Sequence, residues 1–366
     1  MTDIPLVDLK AAHAEVADEV DRGFRRVLTG AAYVGGPEVS AFEQEYAAFC
    51  GVPHCVGVAN GTDALELALR ALDVGPGREV VLPANTFIAT AEAVARTGAR
   101  PVLVDCDPVS YLIDVDAALA AITPATAAIV PVHLYGQLAP VERLAAAGVP
   151  IVEDAAQAQG ATRHGRAAGA AGIAGTSFYP GKNLGAYGDA GAVVTVDATI
   201  ADAVRTTANH GSRARYVHEI VGCNSRLDAL QAVVLRAKLS RLAGWNEARQ
   251  RAAARYDELL ERVDVVRPRV LPGNTHVWHL YVVRITGGRR DPVRQRLAAV
   301  GVAAGIHYPV PVHLTPAFAH LGHRIGAFPH AEAAAAEVLS LPLHPHLSAD
   351  DQEYTVKALD AALTDG

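Results

Sequence analysis

The sequence predicts an α/β protein: a large, mostly parallel sheet layered between helices, followed by a smaller C-terminal α+β domain. Three observations predict it. Between residues 55 and 196, short apolar runs alternate with segments whose apolar residues recur at helical spacing, the rhythm of strands joined by crossover helices. After residue 197 that rhythm gives way to two long helical patterns and then a short strand-helix-strand series. The chain has 366 residues, 51% of them hydrophobic and 19% charged, enough for two domains with sizeable cores.

Residues 55–59 (CVGVA) read as a buried strand, and 62–72 (TDALELALRAL) as a helix with Ala64, Leu65, Ala68, Leu69 and Leu72 at core spacing. Gly75-Pro76-Gly77 makes a turn before a strand at 79–82, a helix at 86–96 and a strand at 101–105. Asp114 can cap the helix DVDAALAAI. Segments 126–133, 140–147 and 150–153 continue the series, and 173–177 is strand-like. Beyond it, 225–242 and 245–262 read as two helices, 269–274 as a loop, 276–286 as a strand, 291–300 as a helix and 302–306 as a short strand. The change of texture divides the chain near residue 245, into a large domain (1–245) and a small one (246–366).

Thirty-two Lys and Arg against thirty-nine Asp and Glu give a net charge of -7 with no basic block, which argues against nucleic acid as a partner. Cys50, Cys55, Cys106 and Cys223 form no C-x-x-C pair and fit a reducing compartment rather than a disulfide framework. Residues 1–15 lack a basic segment followed by an apolar run, and no stretch approaches the ~20 apolar residues of a membrane helix, so a cytoplasmic protein without a membrane partner is expected. His320 with His323, and His344 with His346, lack the spacing and companions of a zinc site, so no metal is expected.

Gly181-Lys182 is not a Walker A loop, and no G-x-G-x-x-G follows a strand. Three segments nonetheless carry chemistry. Asn60-Gly61-Thr62 lies between a strand and a helix, where free amides and the helix dipole can hold a phosphate, or where Thr62 can simply cap the helix. Asp154 ends a buried parallel strand, the place where open α/β sheets bind ligands; alone it fits a structural salt bridge as well. Lys182 sits in a Gly- and Pro-bounded turn (SFYPGKN) among apolar and aromatic neighbours, which favour the neutral amine that Schiff-base chemistry needs. A phosphate anchor, an acid to keep a pyridine nitrogen protonated and a reactive lysine together match the needs of pyridoxal 5'-phosphate.

These segments identify the resemblance. NGTDALELAL (60–69), PANTFIATAEAV (83–94), VEDAAQAQGA (152–161), SFYPGKNLGAYGDAG (177–191), GCNSRLDALQAVVLRAKL (222–239) and GIHYPVPVHL (305–314) resemble the sugar aminotransferases of the DegT/DnrJ/EryC1/StrS family, fold-type I pyridoxal-phosphate enzymes, over nearly the whole chain. The branch that aminates C3 of nucleotide-linked 3-keto-6-deoxyhexoses is the most similar. The resemblance implies Lys182 as the cofactor lysine, Asp154 as partner of the pyridine nitrogen and Gln157 as a contact of the ring hydroxyl. It implies Gly61, Thr62 and Ser177 at the phosphate, and Phe87 on the ring face. Asn224 would reach the phosphate of the other subunit of a homodimer with shared sites. Tyr179, His307 and Tyr308 would face the sugar. Gln159 stands where this branch often has His, and Ala190 where Gly is usual.

The implied chemistry is ping-pong, with L-glutamate as donor leaving 2-oxoglutarate and pyridoxamine 5'-phosphate, followed by amination of a TDP-linked keto sugar for deoxyamino sugar and antibiotic biosynthesis. A C4 sugar aminotransferase and an amino-inositol transaminase share these cofactor residues. Lys182 counts against the related sugar 3-dehydratases, which carry His there, and together with Asp154 and Ser177 against a non-catalytic sensor.

Overall fold

The computed structural model describes residues 3–364. Seven strands form the central sheet: β1 (His54–Val58), β2 (Glu79–Pro83), β3 (Arg100–Val104), β4 (Thr126–Ile129), β5 (Val152–Asp154), β6 (Ile173–Ser177) and β7 (Gly191–Thr195). Their order is β3-β2-β4-β5-β6-β7-β1, with parallel bridges from Ile129 to Ile151 and from Val132 to Asp154 joining β4 to β5. The pairs from β3 through β6 are parallel, as the alternating pattern predicts, whereas β7 runs antiparallel to both β6 and β1. The loop 178–190 carries the chain from β6 straight into its neighbour β7 at the same end of the sheet, as an antiparallel pair allows, whereas the parallel pair β5-β6 is joined by the crossover 155–172.

The helices flanking this sheet include α1 (Ala17–Gly30), α2 (Pro37–Cys50), α3 (Gly61–Arg70), α4 (Ile88–Thr97) and α5 (Ala198–Ala208). Ala64, Leu65, Ala68 and Leu69 of α3 are buried with Val56, Val80, Leu82 and Val193 of the sheet. Phe42 and Tyr46 of α2 pack edge-on against Phe178, at 5.4 and 5.1 Å between ring centres, and so back the loop that carries Lys182.

The segments 225–242 and 245–262 are one helix, α6 (Ala229–Leu259), rather than two. Gly244 lies within it, and an interior glycine costs only about 1 kcal/mol relative to Ala. Burial of Val233, Val234, Leu235 and Leu242 on one stretch and Ala252, Ala253 and Tyr256 on the next outweighs that cost. Residue 245 therefore falls inside a continuous helix. Beyond it, β8 (Tyr281–Arg284) pairs antiparallel with β9 (Val338–Leu341), flanked by α7 (Arg290–Ala299) and α8 (Ala349–Thr364) around a separate core of Tyr256, Tyr281, Leu297, Leu339 and Leu359. Residues 302–306 form bridges at Val302 and Gly305 instead of the expected strand. Among the described residues, no helix is long and apolar enough to cross a membrane.

Candidate active site

A cavity of about 790 Å³ opens at the C-terminal ends of β1, β2, β4, β5 and β6. Gly61, Thr62, Phe87, Asp154, Gln157, Ser177, Tyr179, Lys182, His307 and Tyr308 all line it. Asn224 does not. It is exposed and bridged to Asn209.

The start of α3 shows why both readings of Asn60-Gly61-Thr62 had a basis. The helix is capped, but by Asn60, whose Oδ1 accepts the Asp63 amide at 2.8 Å; Thr62 is not the cap. The amides of Gly61 and Thr62 have no acceptor among the described residues and remain for a ligand. Gly61 is required by packing: a Cβ there would lie 2.5 Å from the Ser177 Cβ. Its absence lets the serine at the end of β6 sit against the helix start.

Asp154 is buried where β5 ends. Its Oδ1 accepts the Ala156 amide at 3.1 Å and its Oδ2 the Thr90 hydroxyl at 2.7 Å. Since Thr90 spends its one proton on Asp154, the Thr86 hydroxyl, 2.7 Å from that of Thr90, must donate to it. Donors on both carboxylate oxygens fix its plane. Asp154 is thus held by the Thr90 hydroxyl and the Ala156 amide rather than by a structural salt bridge. Gln157 is oriented by the Tyr135 amide, which donates to Oε1 at 2.6 Å, so that Nε2 donates to the Tyr308 hydroxyl at 3.0 Å. Gln157 therefore ties the sheet domain to the C-terminal segment as well as facing the cavity.

Lys182 lies in a tight turn closed by its amide donating to the Tyr179 carbonyl at 2.8 Å. Its ammonium has no hydrogen-bond partner among the described residues. Burial pushes its pKa down to about 8, opposed by the negative charge of Asp154. The loop is pinned from below by Lys238, which donates to the Gly185 carbonyl at 2.6 Å and lies 4.5 Å from the centre of the Tyr187 ring. Gly185 itself touches the Pro180 carbonyl, where a Cβ would stand only 2.2 Å from the oxygen.

The C-terminal segment closes the opposite wall. His307 Nδ1 lies 2.8 Å from Ser340 Oγ, and the Tyr135 hydroxyl donates to the His307 carbonyl at 2.6 Å. Burial, helped by the charge of Lys182, pushes the His307 pKa down to about 4, which leaves a neutral imidazole. The Tyr308 ring is 5.1 Å from that of Phe87, tilted by 38°. Burial and Asp154 raise the Tyr308 phenol above its ordinary range. Gln159, the departure noted in the sequence, is buried under the site and donates to the Thr176 hydroxyl and the Ser177 carbonyl. It does not line the cavity.

The donor set fits pyridoxal phosphate: unpaired helix amides beside a serine, a carboxylate for a ring nitrogen, an unpartnered amine of lowered pKa, and the exposed face of Phe87. The model of the DegT/DnrJ/EryC1/StrS aminotransferase family matches residues 15–360. The chain belongs to this family. It is a fold-type I, pyridoxal-phosphate-dependent aminotransferase. It is 49% identical to the erythromycin biosynthesis sensory transduction protein EryC1 of Saccharopolyspora erythraea, over 98% of this chain and 99% of that one. Identity to the dTDP-3-amino-3,4,6-trideoxy-alpha-D-glucose transaminase of Streptomyces venezuelae is 47%, over 98% and 95%. The crystal structure of S. venezuelae DesV in complex with a ketimine intermediate superposes with a TM-score of 0.96 at 46% identity, covering 99% of this chain and 98% of that one.

Thr90, Tyr135, Lys238 and His279 are the site residues that sequence reasoning missed. Thr90 and Lys238 lie within recognised stretches, but nothing in their spacing distinguishes a hydroxyl or amine facing the site from one facing solvent.

Proposed function

We propose that this aminotransferase moves the amino group of L-glutamate to C3 of a nucleotide-linked, TDP-type 3-keto-6-deoxyhexose. The observation that carries the reading is one cavity that gathers Lys182, Asp154 and the Gly61-Thr62 amides with a second wall of uncharged groups, His307, Tyr308 and Tyr179. Such groups offer hydrogen bonds and a stacking face to a sugar without placing a charge against it. The S. venezuelae transaminase, whose name specifies a 3-amino sugar, supports the same regiochemistry. EryC1 is named as a sensory protein, but Lys182 and Asp154 are both present and placed here, which favours catalysis over sensing.

Pyridoxal phosphate, when bound, supplies an electron sink for the charge left at the carbon that loses its proton. The chain's own residues do the rest. The Gly61 and Thr62 amides and the Ser177 hydroxyl bind the phosphate. Asp154, held by Thr90 and the Ala156 amide, keeps the proton on the pyridine nitrogen. Gln157 meets the ring hydroxyl, and Phe87 covers the ring face. Lys182 Nζ would hold the cofactor through its aldehyde carbon and, when displaced by an amino group, would act as the base and acid that carries a proton from the donor's Cα to the cofactor and, in the second half-reaction, from the cofactor to the sugar carbon.

The active unit in this reading is a homodimer. Asn224 shares its segment with the exposed apolar residues Tyr216, Val217, Ile220 and Val221, a surface that a second copy would cover while bringing Asn224 to the partner's phosphate site. Mixing inactive Lys182→Ala and Asn224→Ala chains should then regenerate one complete site per heterodimer. Absence of rescue despite proven subunit exchange counts against a shared site. The substrate is tested by offering TDP- and UDP-linked 3-keto and 4-keto sugars, and a keto-inositol, with glutamate; NMR of the product fixes the amination carbon. Turnover of 4-keto sugars or keto-inositol with no reaction of 3-keto sugars overturns the C3 assignment.

A further inference from the structure

The segment 224–229 alternates strictly between solvent and protein: Asn224, Arg226 and Asp228 are exposed, whereas Ser225, Leu227 and Ala229 are buried. That period of two is the pattern of extended backbone, in which neighbouring side chains project to opposite faces. Backbone bonds hold the register. The His210 amide donates to the Cys223 carbonyl at 2.8 Å, the Ser225 amide to the Ala208 carbonyl at 2.9 Å and the Ala229 amide to the Tyr33 carbonyl at 2.9 Å. The inward residues seat on β1, where a Cβ at Gly57 would stand 2.8 Å from Leu227 Cδ2.

The Ser225 hydroxyl reaches the turn that carries the phosphate-binding amides. Its oxygen accepts the Ala59 amide at 3.2 Å, and its proton goes to Asp63 Oδ2 at 2.8 Å. Ala59 and Asp63 bracket Asn60-Gly61-Thr62, so one fully buried hydroxyl ties the two ends of that turn together. The other Asp63 oxygen pairs with Arg96 at 3.1 Å. Both carboxylate oxygens are thus engaged, and neither competes for the Gly61 and Thr62 amides.

We infer that Ser225 is a positioning residue that serves two sites at once. It holds the phosphate-binding turn of its own chain and, through the backbone it shares with Asn224, the residue offered to the partner's phosphate. The bond from Ser225 to Asp63 thereby joins the two phosphate sites of the dimer. This rests on the shared-site reading of Asn224.

The test uses full-length, cofactor-free heterodimers assembled from differently tagged chains. One chain carries Lys182→Ala, so that the band of lysine-bound cofactor reports a single site, and titrating that band gives Kd for pyridoxal phosphate. Ser225→Ala on the silent chain leaves the reporting turn intact and disturbs only the Asn224 supplied to it; on the reporting chain it disturbs only the turn. Against the heterodimer carrying Lys182→Ala alone, Kd should rise about tenfold in each arrangement, as expected for losing a hydrogen bond to a charged group. Pyridoxal, which lacks the phosphate, separates positioning from general damage: its Kd should not change. A rise in only one arrangement, no rise in either, or an equal rise for pyridoxal overturns the inference. Failure of the shared-site reading is visible separately, because Asn224→Ala on the silent chain would then leave Kd for pyridoxal phosphate unchanged.

Discussion

Two cavities open at opposite ends of the same strands. One, of about 790 Å³, lies beyond the C-terminal ends of β5 and β6, at Asp154 and Ser177; the other, of about 860 Å³, lies at their beginnings, around Ile151 and Ile173. The larger is not the better equipped. Its walls are Leu72, Val141, Val149, Ile151 and Ile200, and Arg163 at its rim is spent on Glu142 at 2.7 Å. The smaller holds an amine without a partner, a carboxylate fixed by two donors and helix amides without acceptors. Volume does not distinguish them. The C-terminal end of a parallel strand does, because there the strands feed into the starts of the helices and their unpaired amides.

That contrast fails if residues of the smaller cavity prove dispensable. The largest effect belongs to Lys182→Ala, which should remove the absorbance band of the lysine-bound cofactor or shift it to that of a non-covalently held one, and reduce turnover at least ~10³-fold, having lost both nucleophile and proton carrier. Retention of a tenth of wild-type rate would make the two cavities equivalent. Next, Asp154→Asn should keep the fold but cut turnover roughly 10²-fold or more, at about 1.4 kcal/mol per factor of ten, because the ring nitrogen loses its counter-charge. Steady-state rates within tenfold of wild type would remove Asp154 from that role.

A third prediction concerns pH. Burial lowers the Lys182 pKa to about 8, so the neutral amine predominates only above that value. Capture of pyridoxal phosphate by cofactor-free protein, followed by stopped-flow absorbance, should accelerate toward about tenfold per unit as pH rises below 8, then level off. A profile still rising steeply at pH 10 would mean that the amine is solvated. Fourth, His307→Ala or Tyr308→Phe should raise KM for the keto sugar about tenfold while leaving the glutamate half-reaction nearly unchanged; Tyr308→Phe removes the acceptor of Gln157, a loss of about 1 kcal/mol. Loss of the glutamate half-reaction instead would move these residues from the sugar to the cofactor. The smallest effect is expected at the other end of the strands: Arg166→Ala, an exposed residue at the larger cavity, should leave kcat/KM within about twofold.

The parallel half of the sheet, the division of texture near residue 197 and the three chemical segments were legible because each is local. Apolar spacing reports a strand or a helix, and Gly, Pro and Lys within a few residues report a constrained turn. Reading failed where apolar spacing does not decide the outcome: the direction of β7 is set by its place in the sheet, the continuity of α6 by burial on both sides of Gly244, and the cap of α3 by which of two nearby polar side chains reaches the Asp63 amide.

The sequence by itself determined which functional groups exist and the local backbone that presents most of them: an amine in a tight turn, an acid at a strand end, amides at a helix start. The tertiary structure alone decided their states. Thr90 reaches Asp154 from 64 positions away, Tyr308 reaches Gln157 from 151, and Asn183 meets Asn246 and His279 from 63 and 96. Protonation, tautomer and orientation follow from burial and from the partner across the fold, and chain spacing encodes neither.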